Sequence, residues 1–170
     1  MKRIVVIGSS GAGKSTFSRR LGATTGIDVI HLDRLFWKPN WTETSRDEWK
    51  EILRETLKGD SWILDGNFGG TREMSMEASD TIIFLDIPRI VCVWRVLKRV
   101  AFYKKGDRQD MADGCDERFD WKFLIWIWNY PKISKPVVEN LLEKFRSEKK
   151  ISVLRSSAEI ENFLLDIKRS

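Results

Sequence analysis

The chain has 170 residues, 42% of them hydrophobic, which is enough for one compact domain with a core of its own. Thirty Lys and Arg against 25 Asp and Glu leave a formal charge of +5, a balance that suits nucleotides, phosphorylated metabolites and, weakly, nucleic acid. Cys92 and Cys115 form no CxxC pair and there is a single histidine. These counts exclude a disulfide framework and a Cys/His zinc site, and no apolar run is long enough for a signal peptide or a membrane span. The expectation is a cytoplasmic protein with reduced thiols and no membrane partner.

In chain order, "RIVVIG" predicts a first strand over 3–8, followed by a helix over 14–23. "DVIHL" over 28–32 predicts the second strand, and a helix over 45–57 precedes the third, "SWILD" over 61–65. "TIIFLD" over 81–86 is the fourth strand and leads into a helix over 88–104. Helices over 119–130 and 134–145 come before the fifth strand, "ISVL" over 151–154, and a final helix covers 157–167. Short, continuously apolar strands separated by helical patterns suit a parallel sheet buried on both faces, a doubly wound α/β domain spanning 1–170. The polar stretch "KKGDRQDMADGCDE" over 104–117 carries two glycines and is expected to act as a lid rather than a domain boundary.

The segment "GSSGAGKST" after the first strand fits G-x-x-x-x-G-K-[ST] at every position, from Gly8 to Gly13, Lys14 and Ser15. Backbone N–H groups of Ser9, Ser10, Gly11, Ala12 and Gly13 would form a concave nest for phosphate, closed by Thr16 at the start of a helix whose positive end faces the anion. Lys14 would reach the outer phosphates and Ser15 would ligate Mg²⁺. A second carboxylate is needed for the metal. Asp65 is preferred because Gly66 and the loop "NFGGTRE" follow it and could approach a ligand closely, while Asp86 precedes "IP" and serves equally well as a structural carboxylate.

Asp33, in "HLDRLFWKPNW", lies at the carboxyl end of the second strand, where ligands of open α/β sheets sit. Two readings stay open for it, a base that orients an acceptor hydroxyl and a structural carboxylate paired with Arg34. Trp37, with Phe36 and Trp41, either stacks on a planar acceptor or packs the next helix, and His31 is expected as a satisfied core residue. Cations for the transferring phosphoryl group are sought in Arg72, Arg95, Arg99 and Arg108. Arg95 and Arg99 are four positions apart and share a helix face. The loop at Arg155, in "LRSS", lies where a nucleotide base could rest.

The P-loop, "WILDGNFGGTRE", "DTIIFLDIP", "RVLKRV" and "ISVLRSS" together resemble the adenylate-kinase-related P-loop kinases. With "HLDRLFWKPNW", "DMADGC" and "FDWKFLIWIWNYP", the likeness becomes closer to the group named topology modulation proteins and covers nearly the whole chain. It implies a five-stranded sheet in the order 2-3-1-4-5. Adenylate kinases follow "ILDG" with a proline and an arginine that grips the acceptor phosphate, and "NFGGTR" departs from that pattern. "HLDRLFWKP" is similar to the base-bearing loop of uridine and nicotinamide riboside kinases, where the aspartate faces a ribose hydroxyl. The resemblance therefore implies an ATP- and Mg²⁺-dependent small-molecule kinase, monomeric or homodimeric, acting on a nucleoside or nucleotide. Its rival, suggested by the group's name, is an ATP-binding regulator of DNA topology.

Overall fold

The computed structural model describes residues 1–102, 110–112, 114–115 and 119–169. Five strands, β1 (Arg3–Gly8), β2 (Val29–His31), β5 (Trp62–Asp65), β6 (Thr81–Leu85) and β7 (Lys150–Leu154), pair throughout in parallel. Their order is β2-β5-β1-β6-β7. Counting only the strands of this sheet, that is the order 2-3-1-4-5. The chain numbering is offset by a two-stranded antiparallel ribbon, β3 (Trp37–Lys38) and β4 (Thr42–Glu43), which the sequence reading did not expect.

The central strands β1, β5 and β6 are buried on both faces, which is why they read as unbroken apolar runs. Alternation still sorts their side chains. Ile4, Val6, Ile63 and Ile83 pack on one face with α1 (Lys14–Thr25), α5 (Arg89–Phe102), α6 (Trp121–Ile133) and α8 (Ser157–Arg169), contributing Phe17, Leu21, Val96, Ile127 and Leu164. Val5, Ile7, Leu64, Ile82 and Phe84 turn to the other face, where α3 (Arg46–Leu57), α4 (Arg72–Ala78) and α7 (Lys135–Phe145) bring Leu53, Met76, Val138 and Phe145.

Local signals account for some helix starts. Ser45 caps α3 by accepting the Glu48 N–H at 3.4 Å, and Asp120 caps α6 by accepting the Phe123 N–H at 3.2 Å. α6 departs from its expected end at residue 130. It runs through Pro131, and the Ser134 N–H bonds to the Tyr130 carbonyl at 3.0 Å. The short α2 (Leu32–Phe36) starts at the end of β2 without a side-chain cap, and α4 likewise lacks one, so neither carried a start signal in the sequence.

Residues 103–104 of the helix expected over 88–104, and most of the segment expected as a lid, lie outside the described residues. The described part of that segment packs against the ribbon. The Asn40 N–H donates to the Gly114 carbonyl at 3.2 Å, and the Cys115 thiol lies 3.3 Å from the Lys38 carbonyl.

Candidate active site

β1 delivers the P-loop to the carboxyl edge of the sheet. Gly11 has φ 80° and sits against α5, where an added Cβ would lie 2.4 Å from the Cys92 carbonyl oxygen, so neither its conformation nor its packing admits a side chain. From α5, Arg95 donates to the carbonyls of Gly11 at 3.4 Å and Ala12 at 3.1 Å, bracing the loop from outside its concave face. Ser9 and Ala12 are buried in the loop's base. Lys14 Nζ donates to the Ser9 carbonyl at 3.1 Å, folded over the nest.

Two cavities meet at this loop. The smaller, about 140 Å³, is the phosphate-sized hollow bounded by Ser10, Gly11, Gly13, Lys14, Ser15 and Thr16, with Asp33, Arg99 and Asp110 opposite. The larger, about 580 Å³, opens beside it. It is lined by Phe36, Trp37, Trp41, Phe68, Phe123 and Trp126 and by the carboxylates of Glu43 and Asp120. Ser10, Lys14, Asp33 and Arg99 line both, and Gly8 lines the larger. Asp33 reaches this junction because α2 begins directly at the end of β2 and places it in the first turn.

Other expected residues take different places. Asp65, at the carboxyl end of β5, is buried and accepts a hydrogen bond from His31 Nδ1 at 2.6 Å, which makes His31 a satisfied residue as expected. Asp86 is held by Lys135 Nζ at 2.8 Å, with Arg155 Nε at 3.7 Å. Arg155 therefore borders a separate cavity of about 280 Å³ that also touches Ser9 and Tyr130. Gly66 is closely packed on the side where a side chain would stand. The space of its missing side chain is taken by Leu32, whose Cβ would lie 2.6 Å from a Cβ placed there. Arg34 is exposed and lines neither cavity at the P-loop. Arg108 lies outside the described residues.

Arg72 is buried, and its Nε donates to Asn67 Oδ1 at 2.5 Å. Asn67 Nδ2 in turn donates to the Gly8 carbonyl at 3.1 Å and to the Tyr130 hydroxyl at 3.3 Å, so the loop after β5 is tied to the P-loop through one amide. Burial lowers the pKa of the Arg72 guanidinium from its ordinary value. Burial likewise pushes the Tyr130 phenol up to about 12, keeping it a neutral hydroxyl.

The residue that sequence reasoning missed is Asp110, which accepts the Ser15 hydroxyl at 3.0 Å. Its signal was its position in an acidic stretch between two glycines, taken there only as lid. Asn67, Phe68, Phe123 and Trp126 were also missed, since an amide and aromatics at helical spacing carry no mark that separates lining from packing. Among the described residues no group of three or more His, Cys, Asp or Glu side chains is placed to hold a metal ion alone. The Ser15 and Asp110 oxygens beside a phosphate-sized hollow do suit Mg²⁺, which takes one or two carboxylates and completes its shell with phosphate and water.

Neither a protein-family model nor a curated protein matches the sequence. Solved structures do match in fold. Shikimate kinase from Acinetobacter baumannii in complex with shikimate has a TM-score of 0.64 at 12% identity, over 98% of this chain and 90% of that one. Shikimate kinase from Bacteroides thetaiotaomicron has a TM-score of 0.53 at 17% identity, over 99% and 96%. Deoxyadenosine kinase from M. mycoides has a TM-score of 0.51 at 14% identity, over 98% and 99%. The chain thus has the P-loop kinase fold along nearly its whole length.

Proposed function

We propose that this chain is an ATP- and Mg²⁺-dependent phosphotransferase that moves the terminal phosphoryl group of ATP to a hydroxyl of a small planar acceptor, a nucleoside in the first instance. The observation that carries this reading is the position of Asp33. It lines both the phosphate-sized hollow and the aromatic cavity, together with Lys14 and Arg99. A hydroxyl held there would have a carboxylate to accept its proton on one side and the transferring group on the other. The kinases of the same fold are named for shikimate and deoxyadenosine, both alcohols.

A hydroxyl acceptor is favoured over a phosphate acceptor by charge. Among the described residues, the larger cavity carries no Lys or Arg besides Lys14 and Arg99, and its lining includes the carboxylates of Glu43 and Asp120. An anionic acceptor would need cations in that place. Trp37, Trp41 and Trp126 offer faces on which a base can stack.

In this account Lys14 and Arg99 neutralise charge that grows on the phosphoryl oxygens, and the P-loop N–H groups fix the phosphates in line. Arg95 keeps the loop in shape. Mg²⁺ would be held by Ser15 with Asp110, the carboxylate in contact with it, while Asp65, buried at the end of β5 and bonded to His31, would be the second carboxylate available to it. When bound, the ion neutralises and bridges phosphate oxygens. The segment over 104–117 serves as lid, and the Ser15–Asp110 contact supports that role. Two of the basic residues of α5 serve the phosphotransferase reading rather than the DNA-regulator one, since Arg95 donates to the P-loop carbonyls and Arg99 lines both cavities. An ADP-release assay over nucleosides, nucleotides and small alcohols tests the proposal. Turnover with a nucleoside or another alcohol is expected, and turnover with none of them would contradict it.

A further inference from the structure

α5 and α6 lie side by side as an antiparallel pair. The start of α5 meets the end of α6, where the Arg89 guanidinium stacks 4.2 Å from the Trp128 ring, and Leu97 and Val100 meet Phe119 and Phe123 at the other end. Their inner faces carry Cys92, Val96, Leu124 and Ile127 into the core. Their outer faces are also apolar. Ile90, Trp94 and Leu97 on α5 and Trp121, Ile125 and Trp128 on α6 recur at intervals of three and four and stand exposed, Trp94 to 59% and Trp121 to 66%. Large apolar side chains exposed along two adjacent helices mark an interaction surface.

Charge indicates what covers it. The cations beside this face are Arg89, stacked on Trp128, and the exposed Lys98, Lys122 and Lys132, and neither helix contains an Asp or Glu. Lys98 Nζ lies 5.2 Å from the centre of the Trp94 ring, so cations flank the exposed indoles. A second copy docked about a two-fold axis would set these cations against their own equivalents, an unfavourable pairing. A surface of anionic lipid headgroups answers both features. Indoles settle at the boundary between headgroup and acyl chain, and Lys and Arg reach the phosphates. No helix among the described residues is long and apolar enough to cross a membrane, so contact would be with the surface.

We propose that the outer face of α5 and α6 docks this protein on anionic membrane surfaces, with Trp94, Trp121 and Trp128 as anchors and Lys98, Lys122 and Lys132 as the electrostatic component. The test is sedimentation of the full chain with vesicles of phosphatidylcholine alone or mixed with phosphatidylglycerol, at low and physiological salt. Binding to the mixed vesicles only, weakening with salt and accompanied by a blue shift of tryptophan emission, is expected. Trp94→Ser combined with Trp128→Ser, and separately Lys98→Glu combined with Lys122→Glu, should each reduce vesicle partition about tenfold or more. The charge variant keeps the test valid should the tryptophan variant fail to fold by circular dichroism. Failure of the wild type to bind mixed vesicles at low salt would overturn the proposal. So would equal binding to neutral vesicles, or unchanged binding in the charge variant. A concentration-dependent dimer in sedimentation velocity that Trp94→Ser abolishes would overturn it in favour of a second copy.

Discussion

The Ser15 hydroxyl and the Asp110 carboxylate, 95 positions apart in sequence, meet at 3.0 Å in the hollow beneath the P-loop. A serine at the end of a P-loop and a carboxylate brought to it from a distant segment would supply two of the six oxygen ligands of a Mg²⁺ shell. Asp110→Asn should therefore raise the Mg²⁺ concentration needed for half-maximal turnover by on the order of tenfold or more. Titrating Mg²⁺ at saturating ATP checks this. An unchanged midpoint would assign the metal carboxylate elsewhere, with Asp65 next in line.

Lys14→Ala should lower turnover roughly 10²-fold or more, as expected for removing a group that acts on charge in the transition state. Its ammonium donates to the nearby Ser9 carbonyl within the same loop, so unfolding stability should change by less than about 0.5 kcal/mol. Thermal melts run beside the kinetic assay separate the two effects.

The division between what was legible and what was not follows from range. The P-loop, the five strands and their parallel class were readable because each signal is local: a fixed spacing, an apolar run, a capping residue. The likeness of the motifs supplied the strand order. Asp33 was expected at the end of the second strand and lies two residues beyond it, in the first turn of α2, and only the fold shows that it borders two cavities. Gly66 was read with its loop as able to approach a ligand closely, and the sequence does not show that Leu32, 34 positions earlier, packs where its side chain would stand. Arg95 and Arg99 share a helix face, yet the first braces the loop and the second lines the cavities. That distinction depends on where the helix lands. Asp110 was hidden for the same reason, since its partner is set by the docking of a polar segment.

Asn67 connects the loop after β5 to the P-loop, accepting from Arg72 Nε and donating to the Gly8 carbonyl and the Tyr130 hydroxyl. Asn67→Ala leaves a guanidinium N–H, a carbonyl and a phenol without that partner in a half-buried place. A loss of about 1–3 kcal/mol is expected for such stranded groups. Urea unfolding measures it, and a loss below about 0.5 kcal/mol would show the network to be dispensable.

Acid should expose a second structural tie. Burial alone would raise the Asp80 pKa, but hydrogen bonds from the Thr81 hydroxyl at 2.6 Å and the backbone N–H groups of Arg3 at 2.9 Å and Lys2 at 2.8 Å outweigh it and hold the carboxyl below its ordinary value. A carboxyl depressed in the folded state adds stability that is fully present above its unfolded pKa, about 3.9, and lost as pH falls through the folded value. Stability should therefore be insensitive to this group at neutral pH and decline below about pH 4. Asp80→Ala should lose the benefit at pH 7 and show a flatter acid limb in pH-dependent urea unfolding. Parallel acid limbs in variant and wild type would remove Asp80 from this role.

The central claim is that Asp33 activates a hydroxyl at the junction of the two cavities. The most direct measurement is steady-state phosphoryl transfer to the best alcohol acceptor by the wild type and by Asp33→Asn, with the phosphomonoester product identified by mass spectrometry. The predicted result is a fall in kcat of roughly 10²-fold or more with a modest change in KM, the signature of a lost general base. Full activity of Asp33→Asn with every accepted substrate, or transfer only to acceptors that already carry phosphate, would contradict it.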